Sequence, residues 1–198
     1  MPKCPARSFH KRAPGHIPEA LLPALGPVLE TIGSLTERIR DYERQLEEIS
    51  EEHYPHETDL LRQVEGVGAL TALTFVLTLE DPYRFEKSRA VGAYLGLVPA
   101  TDQSGDRDPQ KHISKEGDEM LRKLMVGSAH YILGPFGSDL RRHGEKIASR
   151  GGKNAKKRAV VAVARKLSVL LHRLWLSGEI YDPLYNTHRR QEQKEEAA

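Results

Sequence analysis

The sequence predicts a mostly α-helical protein: a long heptad-patterned helix, then a compact helical domain interrupted by one polar loop. Three observations carry this expectation. Apolar residues recur at alternating spacings of three and four from Leu25 to Ile49. Segments 57–79, 116–133 and 153–176 are long runs with a helical apolar face. No long run alternates apolar and polar residues, so extended strands are not expected, apart from short ones within 97–114.

Residues 1–20 hold Pro2, Pro5, Pro14 and Pro18 among scattered basic side chains. They offer little to bury and read as a disordered N-terminus. Residues 21–54 then read as a coiled coil. Its seam is Leu25, Val28, Ile32, Leu35, Ile39, Tyr42, Leu46 and Ile49, with Glu, Arg and Gln outside. The chain has no second heptad helix of similar length, so the expected partner is another copy. Pro55 ends this region.

A short amphipathic helix from Glu57 leads to Gly66-Val67-Gly68 and then to an apolar helix from Ala69. Two glycines one residue apart permit a tight turn with positive φ. The pattern resembles a helix-hairpin-helix, in which the turn and the second helix's N-terminus meet a phosphate. It is equally the pattern of an ordinary turn between helices. Asp81-Pro82 breaks the second helix, and Ser88 is the expected N-cap of a short helix ending near Gly96.

The stretch from Pro99 to Pro109 is rich in turn-forming residues: Thr101, Asp102, Gln103, Ser104, Gly105, Asp106 and Asp108. Ser104 and Ser114 lie near Arg107, Lys111, His112, Lys115, Arg122 and Lys123. Such cations lower the cost of a serine alkoxide and bind phosphodiesters. Loop serines are, however, most often turn formers. Helices over 116–133 and 153–176 follow, with a basic amphipathic segment at 137–150 between them.

The formal net charge of +2 conceals an asymmetry. Acidic residues crowd 37–59. Arg141, Arg142, Lys146, Arg150, Lys153, Lys156, Lys157 and Arg158 crowd a later stretch. A basic block of this kind fits a polyanion partner, although a solvated helix face looks the same from composition. Cys4 is the sole cysteine, which excludes a disulfide framework and a cysteine-based zinc site. The histidines have no ligand spacing, so no metal site is expected in this chain. No window approaches the ~18 apolar residues of a membrane span, and no secretory h-region opens the chain, so a cytoplasmic location is expected.

Taken together, Gly66-Val67-Gly68, Arg84-Phe85, Ala93-Tyr94-Leu95-Gly96-Leu97-Val98-Pro99, Ser104-Gly105, Ile113-Ser114-Lys115, Gly117 and Leu121-Arg122 resemble the C-terminal domain of the IS116/IS110/IS902 transposases. The resemblance covers about residues 57–185, and residues 186–198 read as a disordered tail. Members are DNA recombinases that mobilise insertion sequences. They join an RuvC-like domain, whose acidic tetrad binds Mg²⁺, to a coiled coil and this domain. A serine of the domain becomes linked to DNA, and some members are guided by a structured RNA.

Carried onto this chain, the resemblance makes Ser104 the nucleophile, with Ser114 second; Ser114 fits better as a helix N-cap or phosphate contact. Lys115 and Arg122 would contact the scissile phosphate or its neighbours, together with Lys111. Gly66, Gly68, Lys153, Lys156, Lys157 and Arg158 would follow the nucleic-acid backbone. DNA, a guide RNA and a second copy are the implied partners. Residues 1–56 contain nothing like the RuvC-like domain, so the expectation is a truncated copy, a mis-set start or half of a composite enzyme. Such a chain would be inactive alone, and Mg²⁺ would come only with that other domain. The alternative is a non-catalytic dimeric DNA- or RNA-binding module.

Overall fold

The computed structural model describes residues 3–100, 112–135 and 137–195. Among the described residues the secondary structure is helical, and the only extended pairing is a bridge between Pro99 and Ile113. The mostly α expectation is therefore met. The chain divides into two compact units, Met1–Ile49 and Ser50–Ala198.

In the first unit, 3-10 turns at Ala6–Ser8, Pro14–His16 and Glu19–Leu21 flank the short helix α1 (Phe9–Arg12). Composition gave no reason to expect order here. The physical reason lies in small residues of the long helix α2 (Leu22–His53). A Cβ at Gly33 would come within 3.2 Å of the His10 ring. Ala13, Leu29 and Thr36 are buried, and Arg7 pairs with Glu43 at 2.6 Å. The heptad seam has no such cover: Val28, Leu35, Ile39 and Tyr42 are each more than half exposed. An apolar stripe left in water is a liability for a monomer.

The second unit is built around α8 (Ala155–Ser177). Packed on it are α3 (Pro55–Arg62), α5 (Arg89–Tyr94), α6 (Glu119–Ile132) and α7 (Asp139–Ala148). Val163, Ala164, Leu167 and Leu171 of α8 are wholly buried, at a spacing of one, three and four that keeps them on one face. The apolar helix α4 (Ala69–Leu79) packs against α3 and α6, with Phe75 and Trp175 in ring contact at 6.3 Å. Helix α9 (Tyr185–Glu195) is pinned at its start. Asp139 accepts from the Asn186 N–H and the Thr187 hydroxyl, both at 2.7 Å.

His172 supplies a buried polar tie in this core. Its Nε2–H donates to the Pro82 carbonyl at 2.8 Å, because a carbonyl can only accept. Its Nδ1 meets the Ser88 hydroxyl at 3.0 Å, and the Phe85 ring stands edge-on at 5.6 Å. Ser88 therefore ties α5 to α8 and makes no capping bond, the role its position suggested.

Candidate nucleic-acid interface

Two backbone segments pair, one before and one after residues 101–111 in the chain. Val98–Ala100 runs beside His112–Ser114, joined by Ala100 N–H to His112 O at 2.9 Å and Ser114 N–H to Val98 O at 2.8 Å. Below this pairing, Lys115 N–H reaches Gly96 O at 3.2 Å. The crossing is too close for side chains. A Cβ on Gly117 would lie 1.9 Å from Tyr94 O, and one on Gly96 would lie 2.2 Å from Glu116 O. Both glycines also have positive φ, +78° and +65°, where a Cβ is strained. The result is a neck that holds Ala100 beside His112. Ser104 and Lys111 lie outside the described residues.

Arg122 locks the neck from below. Its Nη1 donates to Glu116 O at 3.0 Å, Leu95 O at 3.3 Å and Gly117 O at 3.4 Å. The two N–H groups of this one nitrogen are shared among the three carbonyls. Lys115 stands at φ +59°, in the left-handed region, with an exposed side chain. A non-glycine residue there costs about 1–2 kcal/mol, a strain found most often where a site requires it.

Ser114 is half-buried in the neck. Its hydroxyl faces the Glu116 N–H at 3.5 Å, too long for a firm bond. It does not cap α6. That role belongs to Asp118, which accepts from Leu121 N–H at 2.6 Å.

The second group of expected contacts surrounds the start of α8. Lys153, Lys156 and Lys157 are exposed there and make no ion pair among the described residues. Arg158 folds back, Nη2 donating to Gly151 O at 2.9 Å, and so fixes the Gly151-Gly152 turn. Asn154 leaves the helix without a side-chain cap, so positive side chains and bare N–H groups share one end. The neighbouring surface is cationic too. His143 is held below its usual range by burial and by the charges of Lys166, Arg150 and Lys146. At neutral pH it is uncharged, and the field around it repels a further proton.

The third group is the turn before α4. Gly66 has φ +88°, and a Cβ there would press to 3.0 Å on Tyr131 and 3.2 Å on Ser128 O. Gly68 is the N-cap of α4 and gives it no side-chain bond. Among the described residues no three His, Cys, Asp or Glu side chains converge, so those residues do not make up a divalent-cation site. No described helix is long and apolar enough to cross a membrane.

Comparison with known proteins gives these features a context. Residues 58–143 match the model of the "Transposase IS116/IS110/IS902 family". The chain belongs to that family. It is 31% identical over 148 residues to the transposase for insertion sequence element IS1111A of Coxiella burnetii, covering 73% of this chain and 39% of that protein. It is 31% identical over 119 residues to the transposase for IS1328 of Yersinia enterocolitica, covering 59% and 34%. An uncharacterised protein of insertion element IS110 of Streptomyces coelicolor is 24% identical over 164 residues, covering 83% and 38%. The chain thus spans between 34% and 39% of the length of these three relatives. The family match encloses the α4 turn, the neck and α6.

The sequence suggests Ser104, Ser114 and Lys115 on one loop, and the structure places Ser114 and Lys115 in the neck. The sequence did not foretell the Arg122 lock or the His172–Ser88 tie. Leu95 is 27 positions from Arg122, and Ser88 is 84 from His172. Neither separation leaves a periodic signal.

Proposed function

We propose that this chain is the DNA-handling part of an insertion-sequence transposase, carrying a serine nucleophile within residues 101–111. The observation that supports it most is the neck itself. Two glycines, a left-handed lysine and the Arg122 clamp hold Ala100 and His112 in one geometry. A solvated connector needs no such fixture, whereas a nucleophile must be held in a near-attack position.

In this reading the Ser104 Oγ attacks a DNA phosphorus. The Oγ–P bond forms, the P–O bond to the departing strand breaks, and the serine proton ends on the departing hydroxyl. Ser114 is the second choice of nucleophile. Lys111 and Lys115 offset the charge of the transition state. Arg122, assigned to the same task by the resemblance, reaches it through the neck. Lys153, Lys156, Lys157 and Arg158 bind backbone phosphates without reading sequence, as do the amides around Gly66 and Gly68. A second copy pairs along the exposed seam of α2, a guide RNA shares the cationic surface, and Mg²⁺ enters with an RuvC-like domain.

The binding half is tested with duplex DNA over a range of salt. Wild type should weaken linearly in log–log form, and Lys156→Glu with Lys157→Glu should lower the slope by about 2. An unchanged slope removes these lysines from the interface. The chemical half is tested with element-end DNA, Mg²⁺ and an RuvC-like partner protein. Ser104→Ala should abolish the covalent protein–DNA adduct and Ser114→Ala should retain it; an adduct in Ser104→Ala refutes the assignment.

A further inference from the structure

We infer that Tyr83 and Arg84 together grip one unpaired nucleotide of a DNA strand, the Arg84 guanidinium on its phosphate and the Tyr83 ring on its base. The grip rests on the nucleic-acid reading for the presence of DNA; the two side chains and the single-stranded ligand go beyond it. Arg84-Phe85 and Tyr94 stand out in the sequence, yet neither strand attack nor backbone binding at α8 gives them a task.

These residues meet in the fold. The Arg84 guanidinium carbon stands 5.2 Å from the centre of the Tyr94 ring and 5.8 Å from that of Phe85. The two rings pack edge-on at 5.3 Å and are themselves half-buried. Ring faces attract a guanidinium, whose N–H groups lie in its own plane. The rings therefore fix the fork without consuming its donors. Among the described residues no side chain or carbonyl accepts from it, and Arg84 is exposed. Arg122 is the contrast, since three carbonyls share its Nη1. Arg84 keeps its whole fork, which matches two oxygens of one phosphate. Tyr94 is also the last residue of α5, and its carbonyl is the one that Gly117 approaches in the neck. Arg84 thus stands one side chain away from the neck.

The 3-10 turn that carries the pair, Pro82–Arg84, is held from several sides. Before it, Glu80 has φ +63° and ψ −57°, and Asp81 N–H reaches Leu79 O at 2.7 Å, a tight turn of a rare and strained kind. The Asp81 carboxylate accepts from the Tyr83 N–H at 2.8 Å. From the core, His172 donates to the Pro82 carbonyl and meets the Ser88 hydroxyl, which fixes the segment at both ends. All this order presents a side chain instead of burying it: Tyr83 is 78% exposed. An open aromatic ring beside an open guanidinium takes an unpaired base and its phosphate. In a duplex the base faces cover one another, so the ring reaches them only in a single strand. Bulk charge adds no pull for a long duplex here, because Glu80, Asp81 and Glu86 balance Arg84, Lys87 and Arg89.

The test measures binding of the full chain to a short labelled DNA strand, to its duplex, and to an RNA strand of the same sequence, over a range of salt. Tyr83→Ala should weaken the DNA strand about tenfold, the scale of one stacked base, and leave its salt slope unchanged. Duplex binding should not move, which also shows that the variant is folded. Tyr83→Phe should bind the strand like wild type, because the ring face makes the contact. Arg84→Ala should lower the slope for the strand by about 0.7, one phosphate. Equal losses on strand and duplex, an unchanged slope in Arg84→Ala, or an effect of Tyr83→Ala on RNA alone overturns the grip and spares the nucleic-acid reading. A wild-type chain that binds neither strand nor duplex sinks the nucleic-acid reading, and the grip with it.

Discussion

Gly117→Ala should be the most damaging small substitution in the second unit. The added Cβ would stand 1.9 Å from Tyr94 O, well inside any tolerated contact, and the obstacle is backbone that cannot rotate away. The two strands of the neck must part by more than ~1 Å to reach ordinary van der Waals distance. Parting them loosens Lys115 N–H to Gly96 O and the Arg122 bonds to Leu95 and Glu116 carbonyls. Two or three such bonds are worth about 1 kcal/mol each. Holding alanine at φ +78° adds about 1–2 kcal/mol. The sum is about 3–5 kcal/mol, a large part of the ~5–15 kcal/mol of a whole domain. At ~2–4 °C per kcal/mol, the melting temperature should fall by roughly 10 °C or more. Trp175 is the sole tryptophan and packs on Phe75, so its fluorescence in urea reports the unit directly. Gly127→Ala is the matched control: its Cβ meets nothing, and it should stabilise by about 0.5–1 kcal/mol. If Gly117→Ala unfolds within ~1 kcal/mol of wild type, the neck does not hold its two segments in fixed contact.

Other expectations follow from the same packing. His172→Leu leaves the Pro82 carbonyl and Ser88 hydroxyl without their partner and should cost about 2–4 kcal/mol by urea titration, whereas a surface histidine would cost almost nothing. Leu35→Lys with Ile39→Lys should turn an assembled species into a monomer by sedimentation while leaving helicity intact, because both side chains are over half exposed in the single chain. His143 binds its proton less readily folded than unfolded, so stability should fall as pH drops below 6.5 and be level just above it. His143→Gln should flatten that part of the profile measured by thermal melts.

How much of this was legible in the sequence depends on the range of the interaction. Helices α6 and α8 were readable because their buried residues repeat at three and four, and Pro55 and Gly178 mark local breaks. The heptad seam was readable for the same reason. Caps were less so. Ser114 has the chemistry of a cap, yet Asp118, four residues later, takes the position because its own backbone is extended there. Ser88 stands at a helix start but spends its hydroxyl on His172, since that histidine would otherwise be buried with one nitrogen bare. The order of residues 3–21 was hidden because it depends on glycine and alanine surfaces that composition scores as nothing to bury. Among the site residues, the glycines of the neck were visible as a motif, but their reason, two backbones in contact, is purely tertiary.

The reaction proposed for this chain is the attack of Ser104 on DNA. Its most direct measurement is to trap the protein–DNA adduct formed with element-end DNA, Mg²⁺ and an RuvC-like partner, and to map the modified peptide by mass spectrometry. The nucleotide should be found on Ser104. An adduct on any residue outside 101–114, or full strand transfer with no adduct on this chain, would contradict it.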